Sequence, residues 1–478
     1  MKILVVNEPF VPGFCRTQRW AARTRGRVLR APDWLAYATA VLEKDSHEVK
    51  LYDFPAMDWE KDKLAEITRQ EKFDFAVLDS TTPSIFSDIE CAKIIKENCG
   101  AKIIMVGPHV SALPEETLTE SKGMVDVAAI GEYDYTVRDI VNSYPNLEGV
   151  PGIAYYKEGK PVRTTPRPLI ANLDDLPFPA WHHLDLMKYF DGGKMYPYID
   201  MISGRGCPNA CIFCLWPQTM HGFKYRFRSP KNVVDEIEND IKLCPQVLNG
   251  GEFFFEDDTF TVNKARAIEI CEEIMRRNLK ITFSVNARAD TADAEMFKIM
   301  KKAGCRLLLV GFESGVQELL DKMHKNTTIE QARNFMKLAK EAKLQVHGCF
   351  VIGLPGETTE TANKTVEFGL NLGLDTIQFS GAVPFPGTRY FKMCETEGWL
   401  KSKLWSDWLG QEGEQAGVVE YPGMSREQID KLVDSGLKRF YFRPSYMIKF
   451  LLNTTNKADL YRKFRGAKNF ISYLLGGK

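Results

Sequence analysis

Ser203-Gly204-Arg205-Gly206-Cys207-Pro208-Asn209-Ala210-Cys211-Ile212-Phe213-Cys214 places three cysteines in C-x3-C-x2-C spacing, so three thiolates converge from one short loop toward one metal centre. A closed structural zinc site takes four ligands, usually as two separated pairs. No second pair stands near this loop. Iron–sulfur clusters normally take four cysteines, so three leave one iron open to another ligand. The other eight, Cys15, Cys91, Cys99, Cys244, Cys271, Cys305, Cys349 and Cys394, are isolated and mostly sit in apolar runs, where a free thiol behaves as a small hydrophobe.

The spacing resembles the radical S-adenosylmethionine (radical SAM) superfamily. The resemblance implies that Cys207, Cys211 and Cys214 hold a 4Fe-4S cluster, catalytic and metal-binding at once, whose open iron chelates the amine and carboxylate of S-adenosylmethionine. One-electron reduction then releases a 5′-deoxyadenosyl radical, with a donor such as flavodoxin or ferredoxin as the implied partner. Phe213, the aromatic before the third cysteine, matches the residue that packs near the adenine.

A chain of 478 residues exceeds what one core usually holds. Lys plus Arg equals Asp plus Glu, 63 each, which argues against a dedicated nucleic-acid binder. Charge is uneven locally. Arg16, Arg19, Arg23, Arg25, Arg27 and Arg30 stand without an acid, and residues 438–478 carry ten basic residues against Asp459. Both segments suit either an anionic partner or membrane surface, or a solvated basic face. No apolar run is long enough to span a bilayer, no signal-peptide layout opens the chain, and scattered free cysteines suit a reducing compartment. The expected location is cytoplasmic, with peripheral contact at the membrane inner face as an open alternative.

Residues 1–148 alternate short apolar runs with helical patterns. Strands are predicted at Ile3–Asn7, Val49–Asp53, Phe75–Leu78, Lys102–Val106 and Val127–Ile130, which makes a doubly wound, Rossmann-like parallel sheet. Ligands of such sheets bind beyond the carboxyl ends of the strands. Gly107-Pro108-His109 and Gly131-Glu132 there resemble the rim of a cobalamin-binding domain, with Gly107 and His109 as candidate contacts. The D-x-H-x-x-G signature is absent, so any cobalamin would lack that histidine ligand. A cofactor-free domain, with His109 a satisfied turn residue, stays open.

Residues 149–194 read as a connector with a hairpin from Ile153 to Val162, a Pro-rich stretch, and the pair His182-His183, more often surface or packing than ligands. Residues 195–388 supply six further strands, at Ile199–Ile202, Phe253–Glu256, Thr282–Asn286, Arg306–Gly311, Gln345–Ile352 and Thr376–Ala382. These fit the partial (β/α)6 barrel of radical SAM enzymes, whose chemistry sits at the strand carboxyl ends, as in the eight-fold barrel. Residues 389–478 look mainly helical.

Handling a zwitterionic methionyl group, a ribose and an adenine calls for charged and hydroxyl residues just past several strands. Asp257 and Asp258 follow Phe253-Phe254-Phe255-Glu256 and are candidates for the methionyl ammonium, with helix capping as the bland alternative for one of them. Glu252 precedes its strand and is rejected. Asn286 is a further cofactor-binding candidate, Arg288 could grip the carboxylate, and Glu313 or Ser314 could take ribose hydroxyls or the amine, although Glu313 could pair with Arg288 instead. Ile352 and Gly353 open the GLPGE segment that borders the adenine in similar proteins.

The flanks narrow the resemblance. Cys214-Leu215-Trp216-Pro217-Gln218-Thr219, Lys224 to Pro230, Leu307 to Gly315, Pro384 to Thr388 and Phe440 to Pro444 resemble the hopanoid-biosynthesis-associated HpnJ subfamily. That implies radical modification of a sugar or polyol head group on an amphiphilic, hopanoid-type lipid. Trp216, Tyr225, Arg226 and Arg228 are expected to line the substrate side, with barrel packing as the alternative for Trp216. The rival readings are a cobalamin-dependent methyltransferase acting on an unactivated carbon, a lipid-chain coupling or ring-forming enzyme, and a non-catalytic iron–sulfur protein.

Overall fold

The computed structural model describes residues 1–17, 21–24, 26–410, 413–452 and 457–474, with side chains for all of these except 449, 451–452, 457–458 and 470–474. Arg19 and Arg25 lie outside the described residues.

Seven strands form the first sheet: β1 Lys2–Asn7, β2 Glu48–Asp53, β3 Phe75–Asp79, β4 Lys102–Val106, β5 Val127–Ala129, β6 Ile153–Lys157 and β7 Lys160–Arg163, in the order β2-β1-β3-β4-β5-β6-β7. The first five are parallel and the last two antiparallel. Strands β3 and β5 are buried along their whole length, because helices cover both faces. The hairpin expected within the connector therefore belongs to this sheet: β6 pairs with β5 through Val127, Ala128 and Ala129.

The second sheet is formed by β8 Tyr198–Met201, β11 Glu252–Phe255, β12 Phe283–Ala287, β13 Cys305–Glu313, β14 Gln345–Ile352 and β15 Thr376–Gly381, all parallel, in the order β15-β14-β13-β12-β11-β8. Its helices cover the outside, as in the expected partial barrel. Between β8 and β11 a short antiparallel pair, β9 Gly204–Arg205 and β10 Arg226–Phe227, closes the cysteine loop into a clasp.

Beyond β15, the helix Arg426–Tyr441 packs on the barrel edge, where Gly436 lies against Phe379 and Ile429 against Gly353. A Ser425–Gln428 capping box starts it. Trp405 reaches the first domain instead, donating to Glu116 at 3.1 Å and packing edge-on against His109. The C-terminal region thus touches both sheets. Among the described residues no helix is long and apolar enough to cross a membrane.

Candidate active site between two strand-end rims

Cys207 and Cys211 are buried and Cys214 is half-buried. Among the described residues the three sulfurs are not gathered within 4.8 Å of one another. Thiolates on one zinc ion, each about 2.3 Å from it, could not be farther apart than roughly that. Three thiols from one loop also fall short of the four ligands of a closed zinc site. Arg288 Nη1 donates toward Cys211 Sγ at 3.9 Å and Asn209 Nδ2 toward Cys207 Sγ at 3.7 Å. Burial pushes the Cys211 thiol up, against the pull of Lys325 and Arg288.

The acids after β11 brace this loop, and Glu256 and Asp258 also border the cleft described below. Asp257 is buried and accepts from Ser203 N at 2.6 Å, Ser203 Oγ at 2.7 Å and Tyr225 Oη at 3.3 Å, with Arg266 at 3.8 Å. Asp258 accepts from Gly206 N at 3.1 Å and pairs with His221 Nδ1 at 2.7 Å. Through these bonds Asp257 and Asp258 fix the entry to the cysteine loop. Glu252 lies buried at the opposite end of the barrel, paired with Arg306 at 2.9 Å, as its rejection requires.

Nearer the sulfurs, Arg288 forks onto Asp290 at 2.9 Å on both arms and donates to Lys325 O at 2.8 Å. Glu313 pairs with Lys325 at 2.8 Å, not with Arg288. Asn286 Nδ2 is held by Asp257 O at 3.0 Å, and Ser314 Oγ meets Thr365 Oγ1 at 3.1 Å. Ile352 is buried, and Gly353, at φ +90°, leaves less than a methyl's room beside Ile429. Glu313, Lys325 and Arg288 thus set two cations and one anion beside the Cys211 thiol. A zwitterionic methionyl group finds both charge signs there. Lys325 carried no motif and went unnoticed in the sequence.

The expected substrate side is corrected. Arg226 forks onto Glu132 at 2.6 and 2.8 Å, and Arg228 pairs with Glu236. Tyr225 lies over Gly204, where a methyl would clash at 2.7 Å. Arg205 forks onto Asp134 at 2.7 and 2.9 Å. Arg205 and Arg226, on β9 and β10, therefore fasten the cysteine clasp to the start of the helix Asp134–Ser143 and to the loop after β5 that leads into it. Arg16 and Arg30 are likewise spent inside, on Asp88 at 2.6 Å and on Glu256 at 3.0 Å, so they do not offer the basic surface their segment suggested. His182 and His183 both reach Glu43, at 3.0 and 2.8 Å.

Two small adjoining crevices lie where the rims meet. The first is lined by Asp79, Gly107, Pro108 and Tyr133 from the first sheet and by Trp216 and Met220 from the cysteine segment. The second is lined by Asp33, Ile202, Glu256, Asp258 and His221. Trp34 and Trp216 border both and stack 5.9 Å apart, with His221 4.8 Å from Trp34. Trp216 therefore does line the cleft.

The first rim is polar, with Arg16 as its cation beside several buried acids. Burial pushes the Asp79 carboxyl up to about 7 and the His109 imidazole down to about 3, leaving His109 neutral and bonded to Thr82 at 3.1 Å. Tyr133 Oη is buried without a partner. At Gly107, φ is +106° and an added Cβ would lie 2.5 Å from Asp79 Oδ1 and from Ser80 O. A bare backbone beside neutral donors and acceptors fits a large amide-rich ligand such as cobalamin.

Fold and site together define a radical enzyme with a cobalamin-type domain in front of a cluster-bearing barrel. The chain belongs to the radical SAM superfamily, whose sequence profile matches residues 201–369, and the profile of the B12 binding domain matches residues 31–141. It is 32% identical over 453 residues to an uncharacterized methyltransferase of Pyrococcus horikoshii, covering 94% of each chain. It is 29% identical to the anaerobic magnesium-protoporphyrin IX monomethyl ester cyclase of Rubrivivax gelatinosus, covering 93% of this chain and 77% of that one. The structure of the radical S-adenosylmethionine methyltransferase TsrM from Kitasatospora setae, with cobalamin and a [4Fe-4S] cluster bound, superposes with TM-score 0.74 at 17% identity, covering 100% of this chain and 99% of that one. The chain is an enzyme; the radical SAM match implies a 4Fe-4S cluster and S-adenosylmethionine, and the match to the B12 binding domain supports cobalamin.

Proposed function

We propose that this enzyme is a cobalamin-dependent radical SAM methyltransferase, one of the rival readings of the sequence, in preference to the rearrangement of a lipid head group. The observation that carries the reading is the shared cleft: Asp79, Gly107 and Tyr133 of one rim and Trp216 and Met220 of the other line a single cavity. When bound, the cofactors supply a carbon radical and a transferable methyl group. The protein's own part is placement. Asp257 and Asp258 hold the cysteine loop, Arg205 and Arg226 lock it to the first domain, and Trp34 and Trp216 keep water from the junction.

The relative of 32% identity bears a methyltransferase name, which supports this choice; the cyclase relative supports ring formation as the second reading. A hopanoid-type polyol substrate rests on the motif resemblance alone. The test is anaerobic reconstitution with hydroxocobalamin and S-adenosylmethionine carrying a deuterated methyl group, with mass spectrometry of the products. Methyltransfer predicts S-adenosylhomocysteine alongside deoxyadenosine. Deoxyadenosine alone, from protein that retains cobalamin, would favour rearrangement or cyclisation and overturn the reading.

A further inference from the structure

The helix Lys457–Leu474 is mounted inside out. Residues three and four apart share a face, and one face carries Leu460, Tyr461 and Phe464, exposed by 54, 53 and 70%. The opposite side, which meets the protein, is polar. Asp459 is only 3% exposed and pairs with Arg462 at 2.6 Å and Lys463 at 3.1 Å. Arg462 also donates to Gly192 O at 2.5 Å, Arg465 lies 4.0 Å from the Phe190 ring, and Asn469 donates to Gly26 O at 3.2 Å. A helix on a protein surface ordinarily does the reverse, burying its apolar stripe. The preceding helix, Pro444–Leu452, adds Met447 and Ile448 at 51 and 59% exposure.

We infer that this face docks on an anionic lipid bilayer, lying in its interface with Leu460, Tyr461 and Phe464 inserted. Charge selects this occupant over a second copy or another protein. From residue 438 to 478 ten basic residues stand against one acid; Arg462 and Lys463 pair with that acid and Arg439 with Glu367, and the segment stays net basic with Lys438 and Lys468 exposed. An apolar stripe within a basic segment is what an anionic surface attracts and holds. None of the described helices can span a bilayer, so the contact is peripheral. The inference stands apart from the choice between methyl transfer and cyclisation.

Flotation of the full reconstituted chain with vesicles tests it. Phosphatidylcholine vesicles containing about one-third phosphatidylglycerol should capture the protein, pure phosphatidylcholine should capture far less, and about 0.5 M salt should weaken capture. The combination Leu460→Gln, Tyr461→Gln and Phe464→Gln should lower the bound fraction roughly tenfold or more, with cluster absorbance unchanged. Should that variant misfold, Lys438→Glu with Lys468→Glu, both exposed, should weaken capture by the anionic vesicles alone. Equal capture of native protein and folded variants would overturn the inference. So would a dimer that binds no vesicles and dissociates in the glutamine variant, because a second copy would then cover the face.

Discussion

The two rims that meet in the cleft are built by opposite rules. At the barrel rim the acids keep cations or backbone donors close: Asp257 holds Ser203 near Arg266, Asp258 holds Gly206, and Glu313 holds Lys325. At the first rim, acids are buried beyond what the cations there neutralise. Arg16 serves Asp88 and stands 3.7 Å from Glu8, whose carboxyl burial pushes well up and whose side-chain oxygens have no hydrogen-bond partner. Asp79 is pushed up to about 7. Charge held in place suits a cluster loop and a zwitterion. A rim kept close to neutral suits a ligand that offers amides and hydroxyls. Burial raises acids on both sides, but at the barrel rim Asp257 keeps Ser203 and Arg266 as partners, whereas at the first rim the Glu8 oxygens have no hydrogen-bond partner.

The largest effect that would break this contrast comes from Asp257→Ala. Ser203 N, Ser203 Oγ and Arg266 would lose a buried charged neighbour together, an arrangement whose breaking costs about 3–5 kcal/mol. Iron content after reconstitution should fall together with S-adenosylmethionine cleavage. Normal iron with impaired S-adenosylmethionine binding alone would return Asp257 to the ligand-binding role first expected of it.

Gly107→Ala should act on the other rim only. The new methyl would meet Asp79 Oδ1 and Ser80 O at 2.5 Å in a left-handed backbone conformation, costing about 2 kcal/mol. Hydroxocobalamin affinity measured by equilibrium dialysis should fall more than about tenfold, with iron content intact. Iron loss of similar size would mean that the rims are not separable.

A further effect, confined to stability, concerns charge. The Asp79 carboxyl ionises near pH 4 in an unfolded chain and near 7 in the fold. The folded state therefore holds the extra proton between those values, and stability falls as pH rises through that window. Asp79→Asn should stabilise the protein at pH 8 by about 1–3 kcal/mol and leave it unchanged near pH 3.5, as read by urea unfolding. An equal gain at both pH values would remove the neutral-rim argument.

Much of the scaffold was legible because apolar runs bounded by glycine or polar residues mark buried strands. Strands β4 and β14 match their predicted limits, and β13 runs one residue earlier and two later than predicted, with a register shift against β14 between Gly311 and Glu313. The hairpin β6–β7 was seen but not its sheet, since nothing local to Ile153 announces that its partner is Ala129. The cysteine loop could be read from spacing, and so could the acids after β11. Their task could not: Ser203 lies 54 residues before Asp257, and the Arg205–Asp134 and Arg226–Glu132 pairs span 71 and 94 residues. Lys325 escaped for the same reason, because a lysine in a loop acquires meaning only beside Glu313 and Cys211. Chemistry carried by spacing is visible in a sequence, whereas chemistry carried by folding two domains together is not.

The most direct test of the two-rim account measures iron and cobalamin per chain, after anaerobic reconstitution, in the native enzyme, Cys207→Ala and Gly107→Ala. The account predicts both cofactors in the native enzyme, cobalamin without a full cluster in Cys207→Ala, and a full cluster without cobalamin in Gly107→Ala. Native enzyme that retains a cluster but never cobalamin, or a Cys207→Ala protein that loses both, would contradict it.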